Sequence, residues 1–472
     1  SGNGLQLPGG IAGSASIAGP GTGQAAVRPA LTRAGAGVAD SAVAFHGRLR
    51  MAEAVLSRRA ASGAPPRAPR LVTAPAVGDA RTFQVCATTS CGTFVAVSAT
   101  ARAVGQRTAI YLDDTVPPGG FTDADLADLG TLFEQQIYPI DTTAFGRETD
   151  LDGNGVVAVL LSDAVNALSG GCGNGIILGY FFGLDLQPGE PGSNGGEVLY
   201  SRVPDPANAA CRADRERVLR TAPPNLIHEL QHLINYGQRV VQRGGDAEHV
   251  WLNEGLSHFA EELGGRNIPD GPVQGGATTR AAQFLELDLN NASEYLFEPE
   301  ASYLVTPGNS LGNMGERGAN WLFVRWLGDQ VDPGDVRATT LTRALVASAE
   351  TGAANVAARA GRPFEELAAE WQLASYLDNL PGFTPGTPWL AYSSINLRAT
   401  LAQVFPVYPL RPDSAGSTYQ WSGTLRGGSG KPIRVIQAPG GGPRSLRLTR
   451  AAGSDQPTDA LLRARVAIAR IR

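Results

Sequence analysis

Hydrophobic and polar positions follow two rhythms along this chain, and the switch between them marks its organisation. From about Leu71 to Asp114 apolar residues come in short runs, Arg81–Cys86, Thr93–Val97 and Thr108–Leu112, separated by turn residues, which predicts strands. A helix is expected from Asp123 to about Gln136, with further strands at Val156–Leu161 and Glu197–Ser201. Helix alternating with strand argues for a mixed α/β lobe. Farther on, apolar residues recur at threes and fours, so Thr279–Leu287, Ala319–Leu327, Ala338–Ser348 and Phe364–Leu377 read as packed helices. From about Thr387 the pattern returns to strands, Tyr419–Leu425, Pro432–Ile436, Ser445–Leu448 and Leu462–Ile471, between glycine-rich turns. A small β-sandwich of roughly 85 residues is expected there.

Residues 1 to 38 are rich in Gly, Ala and Ser and carry almost no large apolar side chains, so they are expected to be flexible. A short helix is predicted from Asp40 to about Arg59 with Val43, Leu49, Met51 and Val55 as its apolar side, before Ser62-Gly63-Ala64-Pro65-Pro66 breaks the chain. The expected division is 1–70 as an N-terminal segment and remnant of a propeptide, 71–385 as the main domain, and 386–472 as the β-rich domain.

Composition narrows the class. The 472 residues are 43% hydrophobic and 18% charged with a net charge of −5, which suits a globular protein and offers no reason to expect nucleic acid or an anionic membrane as partner. No apolar run is long enough to span a bilayer. The chain begins at Ser1 without a charged, apolar leader, so a signal segment is expected to be absent from it. Cys86 and Cys91 are near enough in sequence to close a small loop, and Cys172 and Cys211 suit a second bridge; this fits an oxidising compartment, against the alternative of four reduced, buried thiols.

The chemistry concentrates in one stretch. Four of the five histidines, His228, His232, His249 and His258, fall between residues 228 and 258, and the first two form His228-Glu229-Leu230-Gln231-His232. This is H-E-x-x-H. Residues four apart share one helix face, so two imidazoles spaced this way grip one metal ion with Glu229 beside it. Pro223-Pro224 suits the entrance of that helix, and Leu226, Ile227, Leu230, Leu233 and Ile234 form its apolar face. A catalytic zinc site usually has three protein ligands. Glu254, His258 and His249 compete for the third place, the first two on a helix whose apolar stripe is Trp251, Leu252, Leu256, Phe259 and Leu263. Upstream, Asp150-Leu151-Asp152-Gly153-Asn154-Gly155 matches the first half of a calcium loop, but Leu161 stands at the twelfth position, so a complete EF-hand is excluded. A tight polar turn and a structural Ca²⁺ site both remain open.

H-E-x-x-H followed by Asn253-Glu254 on a second helix resembles the gluzincin metallopeptidases. The stretches His228–Asn235, Trp251–Ser257 and Asp152–Gly155 together look like the hyicolysin family of secreted bacterial neutral metallopeptidases. The resemblance covers roughly residues 76 to 380, strongly around the pentad and loosely elsewhere. It implies an α+β fold with two zincin-like lobes, a mixed-sheet lobe carrying the active-site helix and then a helical lobe. It also implies Zn²⁺ held by His228, His232 and Glu254, Glu229 as base, peptide substrates, and secretion. The strand near Glu197–Ser201 is then the sheet edge on which an extended peptide pairs. Thermolysin-like enzymes carry aspartate four residues past the ligand glutamate; His258 stands there here, and Glu261 or another carboxylate takes over its role. The donor to the reaction's oxyanion is open among Tyr236, His249, His258, Tyr303 and Arg317. The competing reading is a catalytically silent zincin-fold protein used for binding or adhesion.

Overall fold

The computed structural model describes residues 41–61, 71–173, 175–269, 279–415 and shorter stretches between 419 and 471. Residues 1–38 and the expected strand Ser445–Leu448 lie outside the described residues.

The described residues open with α1 (Ser41–Ala61) and continue through β1 (Ala80–Cys86), β2 (Phe94–Val104), β3 (Thr108–Asp113), α2 (Asp123–Leu132), α3 (Tyr138–Phe145), β4 (Val157–Leu161), α4 (Asp163–Leu168), β5 (Gly179–Phe181) and β6 (Val198–Ser201). These strands form one sheet in the order β1-β2-β3-β4-β6-β5. β3, β4 and β6 run parallel, and the remaining neighbours pair antiparallel. Alternation along β3 and β4 divides the core between two faces. Ile110, Leu112, Val157, Val159 and Leu161 join the side of the larger helical core, while Ala109, Tyr111, Ala158 and Leu160 join Phe45 and Leu49 of α1 on the other. Both bridges are formed, Cys86–Cys91 and Cys172–Cys211.

The sheet order corrects one expectation. β6 lies between β4 and β5, so the free edge is β5 and not the strand at Glu197–Ser201. β5 has only three residues, too short for any alternation to stand out from its glycine-rich surroundings in sequence.

α5 (Arg215–Tyr236) and α6 (Val250–Asn267) follow, then α7 (Arg280–Phe297), α8 (Met314–Val331), α9 (Thr339–Val346), α10 (Gly352–Ala360) and α11 (Phe364–Leu377). Pro223 and Pro224 do not start α5 but sit inside it. Without the Pro224 amide proton, the Arg220 carbonyl loses its helical donor, and Gln283 Nε2 on α7 donates to it at 3.0 Å. α7 and α8 touch so closely that a Cβ on Gly318 would fall 2.1 Å from the Asn291 carbonyl oxygen.

α1 turns a different side inward from the one its apolar spacing suggests. Met51 and Val55 are exposed, at 47% and 42%, whereas Phe45, Leu49, Leu56, Arg50 and Glu53 are buried. Arg50 and Glu53 pair with each other at 3.0 Å, which lets two charges lie on a buried face.

α12 (Leu397–Leu401) and its flanks pack Tyr392, Ile395, Leu397, Leu401 and Leu410 into the same core as α8 and α11. Beyond them the described residues form one two-stranded parallel pair, β7 (Asp413–Ala415) with β8 (Ile433–Val435). Tyr419–Leu425 is not a strand at its described positions. Alternation there is interrupted by Gly423, and a short run without a packed face has nothing to hold it extended.

Candidate metal centre

α5 sets His228 and His232 side by side with ring centroids 4.8 Å apart. α6 packs across this face and presents Glu254, Ser257, His258 and Glu261, its i, i+3, i+4 and i+7 positions. His228 Nε2 and His232 Nε2 come within 3.2 Å. Glu254 Oε2 lies 3.7 Å from the first, and Glu254 Oε1 lies 3.4 Å from the second. Ligands held about 2.0–2.1 Å from a tetrahedral zinc are about 3.3 Å from one another. The three side chains therefore stand as three corners around one point.

The hydrogen bond behind the His228 ring decides which of its nitrogens faces that point. His228 Nδ1 lies 2.7 Å from Glu261 Oε1, so its proton belongs on Nδ1 and its lone pair on Nε2. Ser257 Oγ donates to Gln231 Oε1 at 2.5 Å and is left to accept from His232 Nδ1 at 3.1 Å. Ser257 Oγ is also 3.3 Å from His232 Nε2, so it is the approach of Nε2 to His228 Nε2 and Glu254 Oε1 that marks Nε2 as the ligating atom. Burial and the charge of Arg50 lower the pKa of His232 to about 3, keeping the imidazole neutral. For Glu254, burial favours the proton, but surrounding positive charge, Arg317 included, outweighs it and holds the carboxyl well below its ordinary range.

His228, His258 and Glu261 form a second group of metal-capable atoms, yet it is already joined by protons. His258 Nδ1 lies 2.9 Å from Glu261 Oε1 and 2.8 Å from Asp288 Oδ1 on α7. Burial opposes its charge, but the two carboxylates prevail and raise its pKa to about 10. A protonated imidazole offers no lone pair, so His258 supports the centre from behind. His249 is exposed at the start of α6, against Gly352, and takes no part.

Glu229 lies outside the converging ligand group but within electrostatic reach of His228 and Glu254. Its Oε2 accepts the Phe181 N–H of β5 at 2.9 Å, and burial raises its pKa. α1 closes the space beyond. Arg50 Nη2 donates to the Phe181 carbonyl at 2.6 Å, and Glu53 Oε1 accepts the Gly183 N–H at 2.8 Å. A Cβ on Gly47 would lie 3.5 Å from Leu311, across from the sheet edge. Burial, with the charge of Arg317, holds the pKa of His46 well below its ordinary value.

The structure thus brings His228, His232 and Glu254 together, with Glu229 outside that group but electrostatically coupled to it. Of the five oxyanion-donor candidates, Arg317 is the one whose charge reaches Glu254. Tyr303 stacks under Arg426, and Tyr236 is packed against Gly183. Sequence reasoning missed His46, Arg50, Glu53, Phe181 and Asp288. The i, i+4, i+7 spacing of His46, Arg50 and Glu53 was the available signal, one polar stripe on a helix otherwise read by its apolar residues.

No family model matches the chain. Over 241 residues it is 26% identical to the neutral metalloprotease ShpI of Staphylococcus hyicus, a match covering 49% of this chain and 47% of that protein. The likeness is to a metallopeptidase. The chain spans about half the length of this curated relative. Likeness to a metalloprotease points to a metal ion, and the His-His-Glu group is chemically suited to one. No described helix is long and apolar enough to cross a membrane. The two disulfides fit an oxidising compartment.

Proposed function

We propose that this protein is a secreted bacterial zinc endopeptidase of the gluzincin type, hyicolysin-like in pattern, that cleaves protein or peptide substrates. The observation that carries the reading is the convergence of two imidazole Nε2 atoms and the Glu254 carboxylate at 3.2 to 3.7 Å. His228, His232 and Glu254 would hold Zn²⁺, with Glu261 keeping the His228 ring in the tautomer that ligation needs. Zinc bound there supplies a Lewis acid and a water acidified to a pKa of about 7. Glu229 takes a proton from water at its carboxylate and delivers it to the leaving amine. The Phe181 N–H steadies that carboxylate, and β5 is the sheet edge beside which an extended peptide runs once α1 leaves the Phe181 carbonyl.

The test is cleavage of casein by the purified chain. Activity is expected to disappear with a chelator and to return with about one equivalent of Zn²⁺ per chain. Zinc-loaded protein that cleaves neither casein nor unstructured peptides would favour the silent binding or adhesion reading instead.

The N-terminal segment 1–70 reads as a propeptide remnant, supported by the position of α1. Its Arg50 and Glu53 bond the Phe181 carbonyl and the Gly183 amide, groups that a paired substrate would need. Replacing both, Arg50→Ala with Glu53→Ala, removes the two charges together and loosens α1 from the edge. Cleavage of a short peptide by the full chain is expected to rise about tenfold, the equivalent of about 1.4 kcal/mol of competition. Unchanged or lower activity in a folded double variant would make α1 an integral wall of the site.

A further inference from the structure

The turn at Asp150–Gly155 leads into β4, and β6 runs parallel beside β4, so Glu197 at the entry to β6 comes to rest against that turn. One oxygen of each of Asp150, Asp152 and Glu197 lies within 4.8 Å of the others. Asp152 and Glu197 are buried, at 1% and 3% exposure. A Cβ on Gly196 would fall 2.7 Å from Asp152 Oδ2, which shows how tightly the two segments meet.

The hydrogen bonds into this cluster all come from neutral donors. Glu197 Oε1 accepts from Thr149 Oγ1 and from the Leu151 N–H. Asp152 accepts from the amide and side chain of Asn154, and Asp150 from the Gly155 N–H. Glu197 Oε2 is buried and accepts nothing. Arg81 acts on Asp152 only through space. Buried charges are ordinarily paired or bound to a metal, and three converging carboxylates repel one another.

We propose that Asp150, Asp152 and Glu197 form a site for one hard divalent cation, Ca²⁺, separate from the His-His-Glu centre. Oxygen-only ligands select calcium or magnesium over zinc, and a flexible turn suits calcium's adaptable coordination better than magnesium's strict octahedron. Glu197 supplies from a neighbouring strand the acidic ligand that Leu161 fails to supply in the loop itself. Bound there, the ion ties the entries of β4 and β6 to each other and, through the Asp152 carbonyl and the Val72 N–H at 2.9 Å, to the segment leading into β1.

The site shares no residue with the zinc centre, so it stands whether or not the peptidase reading does. Calorimetric titration of CaCl₂ into the full chain, with Zn²⁺ already bound, is expected to show one site per chain and a raised thermal unfolding midpoint. Glu197→Gln and Asp152→Asn are each expected to weaken Ca²⁺ binding more than tenfold and to erase the shift. Asp150→Asn, at a half-buried position, provides the same reading should either buried variant fail to fold. Absence of calcium heat in the wild-type chain, or equal affinity in the folded variants, overturns the proposal.

Discussion

Glu229→Ala is expected to lower peptide hydrolysis by about 10²–10⁴-fold while the chain keeps its zinc, the usual range for losing a positioned general base. Glu229 is outside the converging ligand group, and its carboxylate accepts the Phe181 N–H. Its loss therefore removes a proton acceptor and not a metal ligand. The fall should appear in kcat with KM little changed, because the interaction is one that matters in the transition state. It corresponds to about 2.7–5.5 kcal/mol of barrier. Steady-state kinetics with parallel metal analysis decides the matter: wild-type turnover in zinc-loaded Glu229→Ala would sink the proposed chemistry.

Glu254→Ala should release the metal. Two imidazoles alone leave zinc short of the three protein ligands of a catalytic site. Removing an outer partner of a ligand typically costs about 10–100-fold in metal affinity, and loss of the ligand itself should cost more. His258→Ala is the informative comparison. His258 bonds Glu261 and Asp288 behind the site, so its loss is expected to fall within that 10–100-fold range and leave zinc bound at micromolar protein. Competition with a zinc indicator measures both. Retention of wild-type affinity in Glu254→Ala, or the greater loss in His258→Ala, would reverse the assignment of the third ligand.

The legible parts of this protein are those written in local spacing. Phe364–Leu377 was readable to the residue because its apolar positions repeat at helical period. β3 and β4 were readable because β-branched and aliphatic runs end at turn residues. The pentad announced its helix and one face of it. β5 was not readable, since three residues carry no periodicity, and its place at the edge depends on where β6 inserts. The inward face of α1 was misread for a related reason: Arg50 and Glu53 are buried by partners on β5 and just beyond it, more than a hundred residues away in sequence.

The sequence by itself determined the ligand types and half the candidate centre, because i and i+4 on one helix is a local geometry that needs no partner. It also supplied Glu254 and Glu261 on a second amphipathic stripe. Only the tertiary structure decided that α6 crosses α5 with these residues in register, that Glu261 turns the His228 imidazole with Nε2 inward, and that His258 is held away by Asp288. The same holds for Glu197, which meets Asp150 and Asp152 only because β4 and β6 are parallel neighbours. Spacing along one element sets which side chains share a face, whereas contacts between elements follow from how their apolar faces pack, and that is a property of the whole chain.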